Sequence, residues 1–482
     1  MLIIIKKYSR IILIINILLV LIPAAVFSAE PPELGDPLSQ SMSLKTEKII
    51  GLSSYKRLQR NNYINNNPLV NAYINYLGNK LSRSIMDDDR NYTFFIVRSN
   101  QVNAFAIPGG YIGLNSGLIT LTENEAQLAG VVAHEISHVT LRHSAEMIKN
   151  MNTNNIPMWV GIMAGIFSGN AKASMAALRL GIGQSSQLNI NLIRENEVEA
   201  DDYGIEIMTR SNYDLSEMSR FFKIMNNASG EIQRDLAYLS THPMYENRIS
   251  HIQNKSKFQN NPIINSTDDY FFVKTILEVD SISDINYSLK NITGNEILDK
   301  YKRALLYFKK SDYASAKKEI YPVYNTDSNN LYITILYAKV LAEKGNIDDA
   351  LNVLNKIKNI YPHNTIISFT ISEILIENNL NLQYASKLMK PIEDTYKLNP
   401  DYLRLASKLY TLSNNNFKSS LFLSDYYVLL GSVDLAIEVI ENSLRSKEIN
   451  NIQRKILSSK KQRIICENPR RLEPMYGEKD CY

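Results

Sequence analysis

His134-Glu135-Ile136-Ser137-His138 has the residue types and spacing of a metal-dependent hydrolase. On a helix of 3.6 residues per turn, His134 and His138 lie one turn apart on one face, so both imidazoles can reach a single ion. Glu135, beside the first of them, can lean toward a water held by that ion. Zinc lowers the pKa of such a water from ~15.7 to roughly 7, and an adjacent carboxylate can take the proton as hydroxide attacks a peptide carbonyl. The chemistry indicated is peptide-bond hydrolysis with one Zn2+ per chain. With 6 His in 482 residues, the pattern arises by accident in on the order of a few per thousand such chains, so a third ligand must carry the reading.

Thr122 and Glu125 have the spacing of a capping box, and Leu128, Val131, Val132 and Ile136 continue an apolar run. This predicts the motif on a long buried helix over roughly 123–150. A third protein ligand has to come from elsewhere, leaving one position open for water. The acidic run from Arg194 to Gly204 offers it. Glu197 and Asp201 are four apart, so on a helix one can bind the ion while the other orients a ligating His. Glu195 and Glu199 share that separation, and spacing alone does not choose between the pairs.

The order H-E-x-x-H followed by Glu197-Val198-Glu199-Ala200-Asp201 resembles the M48 peptidases, whose pattern continues as E-x-x-A-D. Asn103-Ala104-Phe105-Ala106-Ile107-Pro108-Gly109-Gly110 is similar to the N-A-F-A-x-P-G-G strand and turn of the same family, and together these features span about residues 45–255. The resemblance implies Glu197 as third zinc ligand, Asp201 as a second acidic active-site residue and Glu135 as general base. It also implies an α+β, mostly helical, zincin-like domain with a small sheet. Independently of it, a strand through Asn103, Ala104, Phe105 and Ala106 could, if it lies at a sheet edge, pair with an extended substrate and read backbone rather than side chains. The simpler alternative is an ordinary hairpin turning at 108–110.

His242, in Ser240-Thr241-His242-Pro243-Met244-Tyr245-Glu246-Asn247-Arg248, resembles the T-H-P…R-I stretch of the family's periplasmic branch, where this His approaches the metal. A neutral imidazole there could fill the open position and hold the enzyme latent, or hydrogen-bond the developing oxyanion. Apart from the resemblance, it is a loop histidine before proline. His143 is expected to pack or to support a ligand, and His251 and His363 to lie at the surface.

Lys6, Lys7 and Arg10, an apolar run from Ile11 to Ile22, and Val26-Phe27-Ser28 before Ala29 read as a secretory signal peptide over 1–29, with an uncleaved anchor as the alternative. A Pro- and Ser-containing leader follows over 30–44. Three of the formal +4 charges belong to the signal segment, and no clustered basic face suggests nucleic acid. Ile156 to Phe167 is too short to span a bilayer and is expected either as a lid or as core. Cys466 and Cys481 lack metal-ligand spacing; in an oxidising compartment they could pair, and otherwise they are free thiols at the end of a tail over 466–482.

After the peptidase region, taken as 45–260, and a connecting segment at 261–294 with a helix near 269–279, the sequence repeats. Ser311-Asp312-Tyr313-Ala314 aligns with Gly345-Asn346-Ile347-Asp348 at an offset of 34, the period of tetratricopeptide repeats. Leu382-Gln383-Tyr384-Ala385 follows 35 residues later, and Gly431-Ser432-Val433-Asp434 supplies another pair after an irregular interval. An all-α solenoid over 295–465 follows, whose concave surface binds peptides or proteins or packs on the peptidase domain. The order of signal, peptidase and repeats resembles the repeat-bearing periplasmic branch of the M48 family. That resemblance implies an envelope enzyme acting on unfolded or misassembled outer-membrane polypeptides. It implies the outer-membrane barrel-assembly machinery as partner through the repeats, with peripheral membrane association as a further expectation. The competing class is a chaperone or adaptor whose peptidase domain is largely latent.

Overall fold

The order of elements follows from where apolar runs are long enough to bury a face and where polar or left-handed positions stop them. A computed structural model describes residues 42–85, 90–150, 186–231, 238, 242–243, 246–259 and 265–467. The signal segment, the leader to residue 41, the apolar run 156–167 and Cys481 lie outside the described residues.

Two helices, Leu44–Arg60 and Pro68–Ser82, precede a three-stranded sheet of β1 (Thr93–Val97), β2 (Ala104–Ile107) and β3 (Tyr111–Asn115). The spatial order is β1-β3-β2, with β1 and β3 parallel and β2 antiparallel to β3. The β2–β3 connection at 108–110 is a hairpin turn, and Gly109 and Gly110 carry it with φ of 83° and 87°, a region costly for any residue with a Cβ. At Gly110 there is no room either, because an added Cβ would sit 2.2 Å from the Asn91 carbonyl oxygen.

The motif helix is Glu125–Thr140, buried from Glu125 through Val139. Its start corrects the expected capping box. Asn124 is the N-cap, and its side chain accepts from Gln127 N, while Thr122 closes the preceding short helix, Ser116–Leu121. Glu125 points elsewhere, accepting from Tyr213 Oη at 2.5 Å and from the Thr267 hydroxyl. The expected end is also corrected. Arg142 adopts φ 59°, so the helix stops at Thr140 and a separate one, His143–Asn150, begins. The break is held because buried Arg142 donates to Glu47 Oε1 at 2.6 and 2.9 Å, and Arg90 donates to the last carbonyls, Val139 O and Thr140 O. Cationic groups are favoured at that negative end of the helix dipole.

The acidic helix, Ser186–Arg210, packs along the motif helix, and helices Leu215–Glu231 and Glu246–Ser256 complete this region. Beyond Asp268–Ser281 come helix pairs whose first members begin at 297, 331, 365 and 400 and whose second members begin at 313, 347, 382 and 416. The period of 34 or 35 is the expected one, and left-handed residues mark the turns at Ser311, Gly345, Asn379 and Asn414. Among the described residues the molecule is therefore mostly helical, with one small sheet and a helical repeat array. Among the described residues no helix is long and apolar enough to cross a membrane.

Candidate metal centre

Burial separates the two acidic pairs that spacing could not. On the acidic helix Glu197 and Asp201 are 3% and 1% exposed and face the motif helix, whereas Glu195 and Glu199 are exposed. The His134 and His138 Nε2 atoms lie 3.0 Å apart, and Glu197 stands 3.4 Å from each. His242 joins them, its Nδ1 3.3 Å from His134 Nε2 and 2.9 Å from Glu197 Oε1. One candidate ligand atom from each of these four buried residues lies within 4.8 Å of all the others.

Two features fit this set to zinc. Ligands about 2.0–2.1 Å from a tetrahedral zinc stand about 3.3 Å from one another, close to the 2.9–3.4 Å separations found here. Both oxygens of Glu135, fully buried beside the cluster, lack a hydrogen-bond donor, an arrangement that favours a nearby cation or water. Burial holds the Glu135 carboxyl above its ordinary range, against the nearby His242 and His134.

The outer contacts differ around the ring. Asp201 Oδ1 lies 3.0 Å from His134 Nδ1. Burial opposes a charge on His134, yet the Asp201 and Glu197 carboxylates facing it raise its pKa to about 9. His138 is pulled down to about 3 by burial, Glu197 resisting and His134 assisting. Its Nδ1 meets His143 Nδ1 at 2.8 Å, and His143 Nε2 reaches Glu199 at 3.3 Å, so His143 packs against the cluster from outside. Burial pushes the Glu197 carboxyl up, but His242, His134 and His138 together hold it well below the usual range.

Arg248, the arginine of the T-H-P…R-I stretch, was given no role from the sequence. Its Nε and Nη2 donate to the two oxygens of Asp201 at 2.6 and 2.8 Å, and its Nη1 lies 2.7 Å from Glu197 Oε2. Its place in that stretch, six residues after His242, was the signal, but no helical spacing connects it to the acidic helix. Tyr238 was missed as well; its ring stacks on His242 with centroids 4.5 Å apart. His251 pairs with Asp202 at 2.6 Å and His363 is exposed, both away from the cluster.

The residues expected to bind substrate form a sheet edge. β2 has only β3 beside it among the described residues. Because Asn115 N donates to Asn103 O, residues 103, 105 and 107 turn their backbone groups toward β3, and those of Ala104 and Ala106 point to the outer edge. Along that edge Tyr238 N donates to Val102 O, and Ser144 Oγ comes within 3.5 Å of Ala106 O. Asn103 is buried, and its Oδ1 lacks a hydrogen-bond donor.

Two imidazoles a turn apart, a carboxylate from a second helix and a buried carboxylate that accepts no hydrogen bond and stands 3.4 Å from His242 Nε2 define a metal-dependent peptidase site. Residues 68–256 match the profile of peptidase family M48, and the chain, which carries this domain, is a metalloendopeptidase that uses zinc. It is similar to the beta-barrel assembly-enhancing protease of Escherichia coli O157:H7, 26% identical over 447 residues that cover 89% of this chain and 90% of the relative. The Yersinia pestis protein of that name is 28% identical over 319 residues, 64% of this chain and 66% of the relative. Mitochondrial metalloendopeptidase OMA1 of Schizosaccharomyces pombe is 28% identical over 215 residues, 44% of this chain and 61% of the relative.

Proposed function

We propose that this chain is a periplasmic zinc endopeptidase that cleaves extended segments of misassembled outer-membrane proteins and assists β-barrel assembly. Its peptidase domain occupies about 45–260 and its tetratricopeptide-type repeats about 295–465. The observation that carries the peptidase reading is the buried His134, His138, Glu197 and His242 cluster with the undonated Glu135 carboxylate beside it. His134, His138 and Glu197 hold the ion. Zinc supplies a Lewis acid that polarises the scissile carbonyl and acidifies water. Glu135 takes the proton from the attacking water and returns it to the leaving amine. Asp201 orients His134 through Nδ1. The outer groups of Ala104 and Ala106 pair with an extended substrate, favouring unfolded polypeptide. The envelope setting rests on the amino-terminal signal pattern and on similarity to proteases named for β-barrel assembly, the repeats being the surface for the assembly machinery.

Glu135→Gln should keep the fold and bound zinc while cutting cleavage of an unfolded substrate by about 10²–10⁴-fold; cleavage at the wild-type rate would sink the assignment. The inactive protein then serves as a trap in envelopes, where captured outer-membrane proteins are the expected result. The second reading, a chaperone or adaptor with a largely latent peptidase, is favoured by His242, whose Nδ1 lies 3.3 Å from His134 Nε2 and 2.9 Å from Glu197 Oε1, where it would complete the ligand set. Full envelope function in the Glu135→Gln protein would select it.

A further inference from the structure

We infer that Arg248 is a positioning residue of the metal centre, bracing by its geometry both acidic side chains of the Ser186–Arg210 helix and the backbone beside His242. This rests on the reading of His134, Glu197 and their neighbours as the zinc site. Arg248 is 2% exposed, on helix Glu246–Ser256, and makes three kinds of contact at once. It grips Asp201 with two parallel N–H···O bonds of 2.6 and 2.8 Å, the fork geometry that lysine lacks. Asp201 in turn stands 3.0 Å from His134 Nδ1, a charge contact out of line for a hydrogen bond, so the position of that imidazole is tied to the pair. Nη1 lies 2.7 Å from Glu197 Oε2, a charge contact out of line for a hydrogen bond, and donates to Pro243 O at 2.9 Å, one residue after His242.

One side chain therefore reaches His134, Glu197 and His242, each by a different route. Phe222 limits its freedom further, since the guanidinium lies 5.4 Å from the ring centroid and the same ring meets His134 edge-on at 6.4 Å. Groups that orient metal ligands commonly contribute 10–100-fold to metal affinity. Charge and geometry predict opposite signs here. A guanidinium near a dication repels it, so a purely electrostatic Arg248 would weaken zinc binding and its removal would tighten it. A brace does the reverse.

The test uses the full chain and measures the zinc dissociation constant by competition with a chelator of known affinity, together with the visible spectrum of the Co2+-substituted protein. Arg248→Lys keeps the charge but cannot fork onto Asp201 while reaching Glu197 and Pro243. It should bind zinc about 10–100-fold more weakly and shift the cobalt bands at unchanged helix content. Arg248→Gln should also bind more weakly, and it decides the matter if the lysine variant does not fold. Wild-type affinity and spectrum in Arg248→Lys, or tighter zinc binding in Arg248→Gln, would overturn the inference alone. A wild-type chain that takes up no zinc would instead overturn the metal site and this inference with it.

Discussion

His134 holds a proton up to about pH 9 before an ion binds, because Asp201 and Glu197 outweigh its burial, whereas His138 is neutral above about pH 3. Zinc must therefore displace one imidazole proton and not two. Apparent zinc affinity should rise about tenfold per pH unit between 6 and 8 and level off near pH 9; a slope of two protons would refute the unequal pair. His242 gives a second prediction at this scale. His242→Ala should raise cleavage of an unfolded protein if the imidazole closes the fourth position, and lower it about 10²–10³-fold if it stabilises the oxyanion. Zinc content in the same preparation shows whether the ion survives. The two histidines were legible because a metal imposes a spacing on one helix face, whereas Glu197 was separated from Glu195 and Glu199 only by resemblance and then by burial. Arg248 was not legible, since an arginine in a polar segment carries no spacing rule that ties it to a carboxylate 47 residues earlier.

At the level of single elements, the strand that leads into the turn and the end of the motif helix carry the argument. The Ala106 N–H points away from β3, so proline there removes a donor from the outer edge without breaking the sheet's own ladder. Ala106→Pro should leave zinc binding intact and raise KM for an extended peptide roughly 2- to 10-fold, the worth of one hydrogen bond. Equal KM values would remove β2 from substrate binding. The break after Thr140 depends on a different pair. Glu47→Ala withdraws the carboxylate from buried Arg142 and should cost on the order of 3 kcal/mol in urea unfolding. The helix itself was legible from its apolar run. Its ends were not, because Asn124 and Thr122 are both competent caps and only the preceding short helix, which uses Thr122, decides between them. The stop at Arg142 depends on Glu47, 95 residues away.

Across the whole molecule, the repeat period was written in the chain, since the turn residues recur at 34 or 35, but the seam between repeats and peptidase region was not. Gln59 donates to Leu398 O at 3.1 Å, Asn399 to Asn66 O at 3.3 Å, and Asn65 to Asp280 at 3.1 Å, contacts that no periodicity announces. The helix Asp268–Ser281, expected within a connecting segment, is largely buried: Tyr270 bonds Thr122, and Phe272 stacks on Tyr332 at 5.2 Å. One apolar cluster runs from Leu69 through the motif helix to Leu429. A core shared in this way should not melt in pieces, because unfolding the repeats would strip cover from Tyr270 and Phe272 and through them from the N-terminus of the motif helix. Peptidase activity and helical circular dichroism should therefore be lost at the same urea midpoint. A chain ending near residue 260 should be insoluble or lose zinc, because its exposed apolar face has no partner. Two separated transitions, or a soluble zinc-binding fragment as active as the full chain, would show instead that the repeats are an independent module merely tethered to the peptidase.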